Sequence, residues 1–126
     1  MATTRRAEVP ATHRSRTWRT TAITGIALLA LVTVHMVANH FVVQEVGGLR
    51  TYHQVLAYIG NPVMFAIESL FLVVVTIHAM LGLRSVLFDF GLSVTMKRLV
   101  NRGLLALGIL TVVYGFVLIG TLASRA

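Results

Sequence analysis

The sequence has no cysteine, so the chain supplies no disulfide, no thiolate metal site and no ligand to an iron–sulfur cluster. Acidic side chains are scarce as well, four against eleven Lys and Arg in 126 residues. Also missing is a polar segment with the apolar periodicity of a soluble fold, and no internal repeat is evident. Serine nucleophiles, paired carboxylates and glycine-rich phosphate loops are absent too, which leaves histidine as the only candidate ligand. What the chain has in quantity is hydrocarbon: 56% of its residues are hydrophobic and its mean hydropathy is +0.82. That is far too apolar for a water-soluble domain of this size, so the solvent is mostly lipid.

Three apolar runs, Ile23–Val43, Val63–Leu83 and Leu104–Ala123, each approach the roughly 20 residues a helix needs to cross the hydrocarbon core. They are continuous rather than alternating, which argues against a lipid-exposed barrel. The expected fold is therefore an all-α membrane protein with three transmembrane helices in one domain, residues 21–124, behind a basic N-terminal segment, residues 1–20. Basic residues follow the topology: Arg5, Arg6, Arg14, Arg16 and Arg19 precede the first run, and Arg84, Lys97, Arg98 and Arg102 lie between the second and third. Only Arg50 and Arg125 fall elsewhere. By the positive-inside rule the N-terminus and the second connection are cytoplasmic, or face the matrix if the chain is mitochondrial; a bacterial or archaeal cell membrane is expected in preference to the mitochondrial inner membrane. A nucleic-acid partner is not implied, because the charge is set by topology and not gathered on one face. A secretory signal is disfavoured because no small-residue cleavage pattern closes the apolar run, and the N-terminal segment is expected to be a retained basic leader, with a transit peptide as the alternative.

The first connection, Gln44–Gly60, reads as a short loop ending at Asn61-Pro62, where proline suits the first turn of the next helix. Tyr52 and Tyr58 fit an interfacial aromatic belt. The second connection, Arg84 to about Arg102, is apolar enough to run partly as helix along the membrane surface. In the third run Gly108, Thr111 and Gly115 share one face, a small-residue pattern for close helix packing.

Polar groups within the spans cost free energy and ask for a reason. They are His35, Asn39, Glu68 and His78, with His40 near an outer end. In helical spacing His78, Gly82, Ser85 and Asp89 form one stripe, and Thr24, Leu28, Leu31, His35 and Asn39 form another. A glycine one turn from a histidine leaves room for a flat macrocycle, and imidazole is a common axial ligand of haem iron. Measured from the ends of the apolar runs, His35 and His78 differ in depth by about 10 Å, which makes it awkward for both to ligate one iron: they would serve two haems, or only one of them serves. A lone intramembrane histidine also satisfies itself by hydrogen bonding across a helix interface, so a packing role stays open for each. For Glu68 the choices are proton handling or burial against polar partner groups.

The segment His78-Ala79-Met80-Leu81-Gly82-Leu83-Arg84-Ser85-Val86-Leu87-Phe88-Asp89-Phe90 resembles the H-x-x-x-G-x-x-x-x-x-x-D-[YF] pattern of the hydrophobic membrane anchor subunits of succinate dehydrogenase, respiratory complex II. Arg19-Thr20-Thr21-Ala22 and Val113-Tyr114-Gly115-Phe116-Val117 are similar to the smaller of the two anchors in that family. His35-Met36-Val37-Ala38-Asn39-His40-Phe41 resembles the first haem-ligand helix of the related di-haem anchors. The resemblance covers roughly Arg19 to Leu118. It implies half of a haem-binding helical bundle: a non-catalytic anchor that shares haem b with a second membrane anchor subunit beneath the iron–sulfur and flavoprotein subunits, and passes electrons to quinone. His78 would ligate the haem nearer the cytoplasm, with Gly82 beside it, and His35 a second, outer haem if the complex is of the di-haem type. Asp89 would neighbour the quinone site, although Phe90 stands where many members have tyrosine and cannot donate a hydrogen bond to a quinone carbonyl. A fumarate reductase anchor and a cofactor-free structural membrane subunit are the alternatives.

Overall fold

A computed structural model describes residues 16–41 and 50–126. It contains four helices, α1 (Arg16–Phe41), α2 (Tyr52–Gly60), α3 (Pro62–Asp89) and α4 (Val94–Ala123), with no strand among the described residues. α1, α3 and α4, of 26, 28 and 30 residues, are long and apolar enough to cross a membrane. The leader before Arg16 and residues 42–49, which include the start of the first connection, lie outside the described residues.

Local chemistry sets the ends. Asn61 caps α3: its side-chain oxygen accepts from the backbone N–H groups of Val63 at 2.9 Å and Met64 at 3.3 Å. Pro62 occupies the first turn, where a missing N–H costs nothing. Ser93 caps α4 by accepting from Met96 N–H at 3.3 Å. Within the spans hydroxyls fold back onto the helix, as Thr33 does to the Leu29 carbonyl at 2.7 Å and Thr76 to that of Leu72 at 2.7 Å. In hydrocarbon this satisfies a donor that water would otherwise take.

Two connections differ from the sequence expectation. Part of the first is not loop but α2, started by a capping box in which Thr51 accepts from Gln54 N–H and the Gln54 side chain accepts from Thr51 N–H. The second is not a surface helix: α3 runs on to Asp89, α4 starts at Val94, and only 90–93 joins them. Gly91 makes that reversal at φ 69°, a left-handed conformation that costs glycine little.

α3 is central. α1 and α4 each pack against it and not against each other, while α2 packs on both α3 and α4. The α3–α4 seam uses small residues: a Cβ on Gly108 would meet Met80 at 3.3 Å, and one on Gly115 would meet Leu72 at 2.5 Å. Thr111 takes no part, being exposed and bonded to its own Leu107 carbonyl at 2.8 Å. Among the described residues only Ala38, Leu56, Ile59 and Thr76 are buried. The large apolar side chains left outside belong against lipid or other membrane helices, as expected of an open part of a bundle.

Candidate functional site

The α1–α3 seam brings both spanning histidines into contact with the other helix. Near the arginine-rich end, Thr24 on α1 lies opposite His78 on α3, with Oγ1 3.2 Å from Nδ1. Thr24 Oγ1 is also 2.8 Å from the Thr20 carbonyl. A hydroxyl has one proton. Both bonds form together when Thr24 donates to Thr20 and accepts from His78 Nδ1–H, a tautomer that leaves an unshared pair on Nε2. The ring is seated against Gly25, where a Cβ would come 3.2 Å from Cε1. One turn along α3, Gly82 has open space: a Cβ there would meet nothing within 4 Å.

Near the far end, His35 on α1 meets Glu68 on α3. Its Nδ1 is 2.8 Å from Oε1 and 3.0 Å from Oε2, and its ring lies 5.0 Å from that of Phe71. The Tyr58 hydroxyl on α2 donates to the same carboxylate. Asn39 Nδ2 donates to the His35 carbonyl at 2.7 Å and approaches the Tyr58 hydroxyl at 3.5 Å. Arg50 closes the group, its guanidinium 4.4 Å from the centre of the Tyr58 ring and its Nη2 donating to the Ala38 carbonyl, near the end of α1, at 3.3 Å. Burial, with the hydrogen bond to Glu68 and its nearby charge, pushes the Tyr58 phenol up to about 12. An intramembrane carboxylate thus meets two donors, His35 and Tyr58, which is what its burial demands.

These contacts also fix the depths. Thr24 is level with His78 and His35 with Glu68, so the two histidines stand ten residues apart along α3, or about 15 Å at the helical rise. The sequence expectation of about 10 Å falls short because antiparallel register is set by which residues meet, not by where apolar runs end. The stripe of Thr24, His35 and Asn39 is the face α1 turns toward α3 and α2. The structure keeps His78 and Gly82 on one face of α3, carries that helix through Asp89 as the stripe required, and holds His35 far from both.

Thr24, Gly25, Arg50 and Tyr58 shape these two places, and the sequence reading gave none of them that role. Their signal is a partner across a helix seam, which spacing along one helix does not carry.

Each imidazole therefore has Nδ1 anchored on its own chain, leaving Nε2 to meet a ligand. This is the usual condition of a metal-binding histidine, whose other nitrogen donates to a carboxylate or similar acceptor. For His35 the side chain is 32% exposed while Glu68 is only 12% exposed, so the ring reaches from an inner carboxylate to the chain's surface. Among the described residues no three His, Asp or Glu side chains gather to hold a metal. The donor set suits axial ligation in which this chain gives one imidazole and another chain the second.

Residues 4–118 match the family described as succinate dehydrogenase/fumarate reductase transmembrane subunit. The chain is similar to the succinate dehydrogenase hydrophobic membrane anchor subunit of Archaeoglobus fulgidus, 30% identical over 102 residues that cover 81% of this chain and 85% of the relative. It is also similar to the protein of the same name from Thermoplasma acidophilum, 28% identical over 98 residues covering 77% of each. No solved structure matches it.

Proposed function

This chain belongs to the succinate dehydrogenase/fumarate reductase transmembrane subunit family, and from that membership we propose that it holds haem b at His78 and His35, shared with a second membrane anchor subunit, in a succinate:quinone oxidoreductase. The observation that carries the reading is the matched condition of the two rings. Both have Nδ1 occupied within the chain, both leave Nε2, and about 15 Å of depth separates them, which suits two haems and not one.

The chain's own residues have distinct tasks. Thr24 and Gly25 seat His78 from the side of α1, and Gly82 keeps the surface beside it flat. Glu68 holds His35. The many exposed apolar side chains keep water from both places. The chemistry that haem supplies when bound is one-electron transfer between iron–sulfur clusters and quinone. Succinate oxidation belongs to a flavoprotein subunit, whose flavin supplies the hydride chemistry. Asp89, at the end of α3, neighbours the quinone site, where Phe90 contributes apolar contact and no hydrogen bond. The names of both relatives favour succinate oxidation over fumarate reduction. The arginine-rich end faces the cytoplasm of a prokaryotic cell.

The test is a reduced-minus-oxidised spectrum and a haem-to-flavin ratio of the purified complex. Two haems per flavin are expected, with His78→Ala losing one and His35→Ala the other. A ratio near one in the wild type rejects the two-haem reading. Unchanged haem in both variants rejects ligation by this chain.

A further inference from the structure

Glu68 is the one formally charged side chain in the interior of the apolar runs, and it is mostly covered by its own chain, 12% exposed. Its carboxylate is not spread over a general polar surface. It meets Nδ1 of His35 with both oxygens, at 2.8 Å for Oε1 and 3.0 Å for Oε2, while Tyr58 also donates to Oε1. Phe71 lies against the His35 ring with centroids 5.0 Å apart, restricting its swing. A buried charge held this way has cost free energy to place, and a simple helix clip would be as stable with two apolar side chains.

We propose that Glu68 is a positioning residue for His35, fixing its tautomer and ring orientation and increasing the electron donation of Nε2. The inference rests on His35 being a haem ligand, as proposed above. An ionised carboxylate only accepts hydrogen bonds, so it keeps the proton on Nδ1 and the unshared pair on Nε2. By drawing on that proton it makes the imidazole a stronger donor toward iron, and a stronger donor, with a negative charge close behind it, stabilises the ferric state. The haem at His35 therefore has a lower reduction potential than a neutral partner would give it. The two histidines differ in this respect: His78 rests on a neutral threonine hydroxyl, His35 on a carboxylate. Two otherwise similar ligands are thus set at different donor strengths. Tyr58 moderates the effect, because its hydroxyl takes part of the carboxylate's charge.

The experiment is a redox titration of the haems in the purified complex, with low-spin ferric EPR, for wild type, Glu68→Gln, Tyr58→Phe and His35→Ala. Glutamine keeps an acceptor for Nδ1–H but removes the charge. Glu68→Gln should retain haem, raise the potential of the component that His35→Ala removes and change its EPR signature, leaving the other component where it was. Tyr58→Phe should move the same component the opposite way, and it decides the matter if Glu68→Gln does not assemble. A His35-linked component whose potential is unmoved in the variants that assemble overturns the inference. Haem content unaltered by His35→Ala overturns the earlier assignment instead, so the two failures are distinguishable.

Discussion

Gly25 of α1 lies directly against the imidazole of His78 on α3, where a Cβ would sit 3.2 Å from Cε1. That contact is tight enough that the ring must move by a few tenths of an ångström to admit even a methyl group. The stripe containing Gly82 was legible along α3, whereas the glycine that seats the histidine belongs to another helix.

Substitutions at the two glycines should separate these roles. Gly25→Leu overpacks the α1–α3 seam, at a cost of about 1–3 kcal/mol, and should lower the thermal midpoint of the complex and perturb the His78-linked spectrum. At Gly82 an added Cβ meets nothing within 4 Å, so Gly82→Leu should lower haem content while leaving the α1–α3 contact intact. Thermal melts and haem content are the measurements, and identical behaviour of the two variants would count against the assignment.

At the other seam Gly115 faces Leu72, with a Cβ placed 2.5 Å from Cδ2 and 2.9 Å from Cδ1. Gly115→Ala should destabilise the α3–α4 pair by about 1–3 kcal/mol. Leu72→Ala in the same chain should recover part of that loss, because neighbouring residues are not additive. A double mutant whose melting shift equals the sum of the single shifts would refute the contact.

Tyr58 should resist alkaline titration. Its phenol is pushed up to about 12 from an ordinary value of 10.0, so the folded protein binds its proton more tightly than the unfolded chain. Its contribution to stability is fully present below about pH 10 and is lost as pH rises through about 12. Ultraviolet titration of tyrosinate in wild type and Tyr58→Phe is the check. A Tyr58 component ionising near 10 would show that the hydroxyl is not held by Glu68.

The antiparallel order of α1, α3 and α4 fixes which positions share a side of the membrane. A cysteine at Ser93 should be labelled from the side carrying Arg16, and cysteines at Thr51 and Ser124 from the opposite side. Labelling of Ser93 and Thr51 by an impermeant reagent from the same face would reject three spans.

Some local features could be read because their causes are local. The lengths of the apolar runs, Pro62 after Asn61 and the uneven placement of Arg and Lys act within a few residues, and each left a mark in order and composition. The capping box at Thr51-Tyr52-His53-Gln54 was equally local. Reading the first connection as loop missed α2 although its start signal was present.

The sequence by itself determined an all-α chain with three membrane-spanning helices, and it singled out His35 and His78, because hydrophobic length and the cost of polar groups in lipid are one-dimensional signals. Tertiary structure alone decided the register: Thr24 against His78, His35 against Glu68, Gly115 against Leu72, and Tyr58 and Arg50 brought to the far end of α1. The physical reason is that these helices are apolar almost all round, so hydropathy marks no preferred face. Which faces meet is settled by where small residues let backbones approach and where a polar group finds its partner, and both depend on residues far apart in the chain.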